Sequence, residues 1–240
     1  MELSWQSAEE CHRGKRRANN EDAVMSRPSA RLWAVADGMG GHKAGDLASG
    51  AVAEALRRVR LNGNLADDVD AVEDVLGEVN EQLREHARET CPGGTVGSTV
   101  VAMLALARVG VALWAGDSRL YRLRGRRLEQ ITRDHNPVCD LLDSGAVSEA
   151  EALAADTNIV TRAVGGHSDL FLDVAVFDID PQDTYLLCSD GLYRELGMAD
   201  LAQALQGESP GRIAKGLLGR CLETAARDNV SLIIARPGVT

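Results

Sequence analysis

Prolines are scarce in this 240-residue chain: six, scattered from Pro28 to Pro237, with no Pro- or Ser-rich run between them to act as a linker. At this length, with 45% hydrophobic residues, the chain can bury one substantial core, so a single domain over 1–240 is expected rather than two small ones. Long apolar runs are missing too. Nowhere do 18 apolar residues follow one another, so no transmembrane helix is expected. The opening MELSWQSAEECHRGKRR lacks the apolar stretch of a signal peptide. Cysteines number five, an odd count without a CxxC pair; they read as reduced thiols of a cytoplasmic protein, not a disulfide framework. Positive charge is also short: 26 Lys+Arg against 36 Asp+Glu leave a net −10, which argues against a nucleic-acid partner. The five histidines (12, 42, 86, 135, 167) show no ligand spacing with one another or with the cysteines, which weakens the case for zinc.

What is present falls into blocks. Ser4–Cys11 and Leu32–Ala36 read as strands. From His42 the period changes: Ala44, Leu47, Ala48, Ala51, Val52, Ala55, Leu56 and Val59 share one helical face. Val69, Val72, Leu76, Val79 and Leu83 mark a second helix, and its segment turns from acidic to basic along its length, which suits a helix dipole. Strands are expected at Ser98–Ala107, Val109–Ala115, Arg119–Arg124 and Leu128–Ile131, and later at Asn158–Val164, Phe171–Asp178, Thr184–Ser189 and Val230–Ala235. Helices are expected near Ala199–Leu205 and Arg212–Ala226. The region between, HNPVCDLLDSGAVSEAEALAAD, is helical in propensity but broken by Pro137 and Gly145. Blocks rather than strict alternation indicate the α+β class.

One feature repeats. "LWAVADG" ends on Asp37–Gly38, "VALWAGDS" on Gly116–Asp117 and "TYLLCSDG" on Asp190–Gly191, while Asp228 stands immediately before the last strand. Singly, each Asp–Gly pair reads as a turn. Together they place several carboxylates at strand ends, where burial without partners is costly and mutual repulsion favours protonation. A divalent cation removes both problems, and oxygen-only ligands point to Mg²⁺ or Mn²⁺. Gly38, without a side chain, can bring its carbonyl within reach of such an ion. Upstream, "GKRRANNEDAV" sets Arg17 near Glu21 and Asp22. A guanidinium beside acids and metal could hold phosphate by a bidentate contact, and alone the segment reads as a surface loop of mixed charge.

Taken in order, the chain resembles the metal-dependent serine/threonine protein phosphatases of the protein phosphatase 2C (PP2C, PPM) type, bacterial members above all. The matching pieces are Gly14-x-x-Arg17-x-x-Asn20-Glu21-Asp22, Val35-Ala36-Asp37-Gly38-Met39-Gly40-Gly41-His42, Gly97-Ser98-Thr99, Gly116-Asp117-Ser118-Arg119, Thr161-Arg162-Ala163-Val164-Gly165, Ser189-Asp190-Gly191 and Asp228-Asn229. The resemblance implies a four-layer α-β-β-α sandwich with two central antiparallel sheets. It also implies two Mn²⁺ or Mg²⁺ ions: Asp37 bridging both, the Gly38 carbonyl on one, Asp190 and Asp228 on the other. Glu21 and Asp22 would act mainly through water, Asp117 with Asp190 would hold a third, weaker ion, and Arg17 would bind phosphate. Such a centre acidifies water for in-line attack on a phosphoserine or phosphothreonine ester. Phosphorylated proteins and a bacterial Ser/Thr kinase are the implied partners, and the chain is expected to be monomeric, without a membrane or nucleic acid.

Many eukaryotic members carry histidine directly after the Asp–Gly pair. Here that position is Met39, and His42 comes three residues later, at an expected helix start suited to capping or packing, so the general acid is unassigned. The segment from about 134 to 158 corresponds to the family's variable flap. The competing class is a catalytically silent PP2C-like module that binds phosphoproteins; it should have lost Asp37, Asp190 or Asp228, and all three are present. A cysteine phosphatase would need an activated thiolate in a phosphate-cradling loop. Cys11 to Arg17 and Cys221 to Arg227 match only the spacing. Lys43 stands where a dinucleotide-binding glycine would be needed, and no Walker A sequence occurs.

Overall fold

The structure, a computed structural model, describes residues 3–40, 44–143 and 159–239. Two antiparallel sheets are built from eleven strands among these residues. The first has the order β1 (Leu3–His12), β11 (Val230–Val239), β10 (Thr184–Cys188), β7 (Arg119–Arg124), β8 (Arg127–Gln130). The second runs β2 (Asp22–Arg27), β3 (Leu32–Met39), β5 (Val100–Leu106), β6 (Val109–Ala115), β9 (Asp173–Asp178), with the short β4 (Gly97–Ser98) also on β3. Helices α1 (Ala44–Arg58) and α2 (Leu65–Thr90) cover the second sheet; α5 (Met198–Ala204) and α6 (Pro210–Glu223) cover the first. Two short helices, α3 (Pro137–Asp143) and α4 (Asp190–Tyr193), and a 3-10 turn at Pro28–Ala30 complete the described elements.

Side-chain alternation explains the four layers. Along β3, Leu32, Ala34 and Ala36 face α1 and α2, while Trp33 and Val35 face the other sheet. Strand β5 repeats this, with Val100, Ala102 and Leu104 outward and Val101, Met103 and Ala105 inward. On the opposite sheet Tyr185, Leu187 and Ile233 point inward, and Leu186, Leu232 and Ile234 pack under α6. Central strands are thus apolar on both faces, which is why they read as continuous hydrophobic runs. Helix ends carry their own chemistry. The Asn64 side chain accepts from the N–H groups of Ala66 and Asp67, Asp67 and Asp68 occupy the first turn of α2, and Arg88 the last.

Several expectations need correction. No strand forms at Asn158–Val164: Asn158 lies outside the described residues, and beyond it only Val164 makes an isolated bridge, to Ser98. Thr161 N–H is used by the His135 carbonyl instead, at 2.9 Å. Strand β9 begins at Asp173, not Phe171, and α6 stops at Glu223, three residues short, where the chain turns toward Ala226 at φ 40°. Leu47 is exposed although its period put it on the buried face of α1. Strand β2 was not expected. The start of α1 at His42 and residues 144–158 of the expected flap lie outside the described residues.

Candidate active site

The strand-end acids meet where the two sheets end side by side. Asp37 is the sixth residue of β3 and Asp117 follows β6, both in one sheet; Asp190 opens α4 after β10 and Asp228 precedes β11, both from the other. Glu21, Asp37, Asp117, Asp190 and Asp228, with Arg17 and Arg194, line a single cleft of about 410 Å³, joined by Gly38, Met39, Gly40, Thr99, Val160 and Asn229. Asp22 stands outside that lining, buried, and accepts a hydrogen bond from Ser189 Oγ at 2.8 Å.

Hydrogen bonds hold this geometry. The Asp37 N–H donates to Thr99 Oγ1 at 3.1 Å, and its carbonyl accepts from Thr99 N–H at 2.8 Å and Ser98 Oγ at 3.1 Å. Thr99 Oγ1 in turn lies 2.8 Å from Ser118 Oγ, tying the Asp37 turn to the Asp117 turn. Asn229 secures the upstream loop: its Oδ1 accepts from Glu21 N–H at 2.8 Å, and its Nδ2 donates to the carbonyls of Arg13 (3.0 Å) and Asn19 (2.9 Å). Gly14, at φ 72°, lets the same loop press on the Asp228 turn; a Cβ there would fall 2.0 Å from the Asp228 carbonyl oxygen. Gly38 is needed for a reason beyond carbonyl access. A Cβ at that position would lie 1.9 Å from the Gly45 carbonyl oxygen, so the close seat of α1 on the β3 turn excludes any side chain.

Electrostatically the cleft is underpaired. Burial pushes Asp37 well above the usual carboxylate range, reinforced by the negative charges of Asp22, Asp190, Asp117 and Asp228. Asp22, directly opposite Asp37 in the β2–β3 register, is raised to about 7, again by burial first and despite hydrogen bonds from Ser231 and Ser189. Asp190 is raised to about 6 by burial; Arg194 opposes the rise, and Asp117 and Asp228 add to it. Burial likewise raises Asp117 and Glu21, with Arg194 pulling the first down and Arg17 the second. Two carboxylate oxygens, Asp190 Oδ1 and Asp22 Oδ1, are buried without a hydrogen-bond partner.

The orphaned Asp190 oxygen, in a lining that offers carboxylates and carbonyls but no thiolate or imidazole, fits a hard divalent cation, with the Asp22 oxygen just behind it. As placed, no three His, Cys, Asp or Glu side chains among the described residues are grouped to grip one ion. Several of these acids hold arginines instead. Arg17, exposed at the mouth, pairs with Asp228 (Nη2–Oδ2 2.7 Å), and the Asp228 hydrogen bond raises its pKa further. Arg194 pairs with Asp190 (Nε–Oδ2 2.9 Å) and Asp117 (Nη2–Oδ2 3.2 Å).

The candidate metal- and phosphate-binding residues Arg17, Glu21, Asp37, Gly38, Asp117, Asp190 and Asp228 thus converge, with Asp22 just outside the cleft. Arg194 was missed; its signal was the i+4 spacing from Asp190 on a helical turn. No histidine lines the cleft among the described residues, and His42 lies outside them. Neither cysteine match is supported. Cys11 and Cys221 do not line the cleft, and burial raises both thiols, Cys221 to about 11, away from the thiolate a nucleophile requires.

Comparison with known proteins agrees with this geometry. Residues 12–211 match the protein phosphatase 2C family. The serine/threonine protein phosphatase PstP of Mycobacterium tuberculosis is 35% identical over 228 residues, 93% of this chain; the chain spans only 43% of that relative's length. The serine/threonine phosphatase stp of Listeria welshimeri is 30% identical, with 92% of each chain aligned. Among solved structures, PppA of Pseudomonas aeruginosa, described as a key regulatory component of T6SS, superposes with a TM-score of 0.89 at 41% identity, covering 97% of both chains. The catalytic domain of PstP in complex with two manganese ions superposes with a TM-score of 0.86 at 32% identity, over 99% of this chain and 100% of that one. With four of its strand-end or strand-start acids in one cleft and a family match over most of its length, this chain belongs to the protein phosphatase 2C family of serine/threonine protein phosphatases.

Proposed function

We propose that the chain is a single phosphatase domain over 1–240, with a variable flap at about 134–158, that hydrolyses phosphoserine and phosphothreonine on proteins. It would use two Mn²⁺ or Mg²⁺ ions and work as a cytoplasmic monomer that reverses a Ser/Thr kinase. The observation that carries this is the cleft itself: five carboxylates, one of them with a buried, unpartnered oxygen, gathered from both sheets with an arginine at the mouth. Among the described residues no helix is long and apolar enough to cross a membrane. The likeness to a Pseudomonas protein described as a regulatory component of T6SS supports a regulatory role.

When bound, the ions supply an acidified water and the positive charge that phosphoryl transfer requires. The rest falls to this chain. Asp37, the Gly38 carbonyl, Asp190 and Asp228 would hold the pair. Glu21 and Asp22 would hold water near the ions, and Ser189 Oγ fixes the Asp22 carboxylate for that task. Arg17 would exchange its contact with Asp228 for the phosphate oxygens, presenting two N–H groups to the charge that spreads over them.

The test is turnover of p-nitrophenyl phosphate and a phosphothreonine peptide with Mn²⁺ or Mg²⁺, before and after chelation. Hydrolysis that chelator abolishes and added ion restores is expected. Undiminished hydrolysis in excess EDTA would overturn the mechanism, and tight peptide binding without turnover in saturating Mn²⁺ would favour the silent module.

A further inference from the structure

The family resemblance implies a third, weaker cation between Asp117 and Asp190. We propose that in this chain Arg194 is the cation of that position, so that the centre takes two ions and not three. The inference rests on the two-ion reading above and goes beyond it by assigning a residue that supplies positive charge covalently.

Position and pairing carry it. Arg194 caps the C-terminal end of α4, one turn after Asp190, and its planar guanidinium spans the gap: Nε lies 2.9 Å from Asp190 Oδ2 and Nη2 lies 3.2 Å from Asp117 Oδ2. The Asp117 side chain is only 5% exposed, and Tyr193 adds a hydroxyl donating to the Asp117 carbonyl at 3.0 Å and approaching the same Oδ2 at 3.4 Å. Asp190 is divided by oxygen. Its Oδ2 is committed to Arg194, while its Oδ1 is buried and unpartnered, open to the main pair of ions. An ion between Asp117 and Asp190 would compete with the arginine for these Oδ2 atoms and sit within a few ångströms of its positive charge.

The experiment counts bound Mn²⁺ calorimetrically and by electron paramagnetic resonance on the full chain, as wild type and as Arg194→Met, Arg194→Lys and Asp117→Asn. Wild type should bind two ions, and Asp117→Asn should leave that count unchanged. Arg194→Met should gain a third ion, bound about tenfold or more tightly than any residual binding there in wild type. Arg194→Lys, which keeps the charge, should stay at two. In chelator Arg194→Met should melt below wild type, because Asp117 is left buried without its counter-charge, and Mn²⁺ should restore it. A third ion in wild type that disappears in Asp117→Asn would overturn the proposal. So would a folded Arg194→Met that still binds two. Absence of Mn²⁺ binding in every variant would overturn the two-ion reading itself, and this inference with it.

Discussion

Strand β10 carries an acid at each end, one fully buried and one partly so, and the two are treated oppositely. Asp183, just before the strand, is fully buried. Arg124 donates from Nε to its Oδ1 and from Nη2 to its Oδ2, both at 2.8 Å, and Tyr185 OH and Asp180 N–H each add 2.8 Å bonds to Oδ2. Asp190, just after the strand, has one oxygen on Arg194 and the other on nothing. A carboxylate whose lone pairs are all used is a structural part. One left short of partners, beside four more acids, is a binding part awaiting charge from outside. Arg119 and Asp134, joined by a two-pronged contact at 2.8 and 2.6 Å, belong with the first kind.

Substitution at the two ends should separate these roles most sharply. Asp190→Asn, like Asp37→Asn, is expected to lower Mn²⁺-dependent kcat on p-nitrophenyl phosphate by at least about a hundredfold while the protein stays folded. Asp183→Asn should keep kcat per folded molecule and lose stability. The loss should be about 3 kcal/mol in urea unfolding, at the low end for a broken buried pair because Arg124 is 38% exposed and can rehydrate. Reversal of that pattern would end the distinction.

Next comes pH. Asp22 at about 7 and Asp190 at about 6 titrate above the value of an unfolded aspartate, so the metal-free folded state binds more protons than the unfolded chain between pH 4 and 7. Their contribution to stability is full below pH 4 and is lost as pH rises through 6 and 7. In EDTA the melting temperature should therefore fall from pH 5 to pH 7.5 more steeply in wild type than in Asp22→Asn. An equal slope in the two proteins would show that Asp22 is not held protonated. Arg17→Ala should raise KM for the phosphothreonine peptide by about tenfold, the worth of one charge-assisted contact, with Mn²⁺ affinity less affected; an unchanged KM would remove Arg17 from phosphate binding. Cys11→Ser and Cys221→Ser should leave kcat within about twofold of wild type, in contrast to any cleft aspartate.

Most of the sandwich could be read from the chain because its central strands are apolar on both faces and its covering helices keep a clean period, as in Val72, Leu76, Val79 and Leu83. Where neighbours decide, reading failed. Strand β2 is short and mixed, and is recruited by pairing with β3 from Asp22↔Asp37 to Arg27↔Leu32. Ile159 and Val160 look strand-forming but pair with no strand. Strand β11 runs four residues past its expected end, through Pro237, because beyond Ala235 it borders only β1 and the missing N–H costs no second ladder. In the site, the acids announced themselves by standing at strand ends. Their partners were harder to read: Thr99 and Ser189 stand inside matched motifs with no role assigned to them, and Arg194 offered only an i+4 spacing from Asp190, because each matters through what it touches.

Asn229 has one more consequence. It clasps a loop 208 positions earlier in the chain, and the strand it introduces zips onto β1 along ten successive residue pairs. During synthesis β1 must wait for β11 to leave the ribosome before it finds its mate. Until then a nascent polypeptide carries Arg17, Glu21 and Asp37 without Asp228 to complete them. On the reading proposed above, a fragment cut short of Asp228 would lack one carboxylate of the proposed centre and should be born inert.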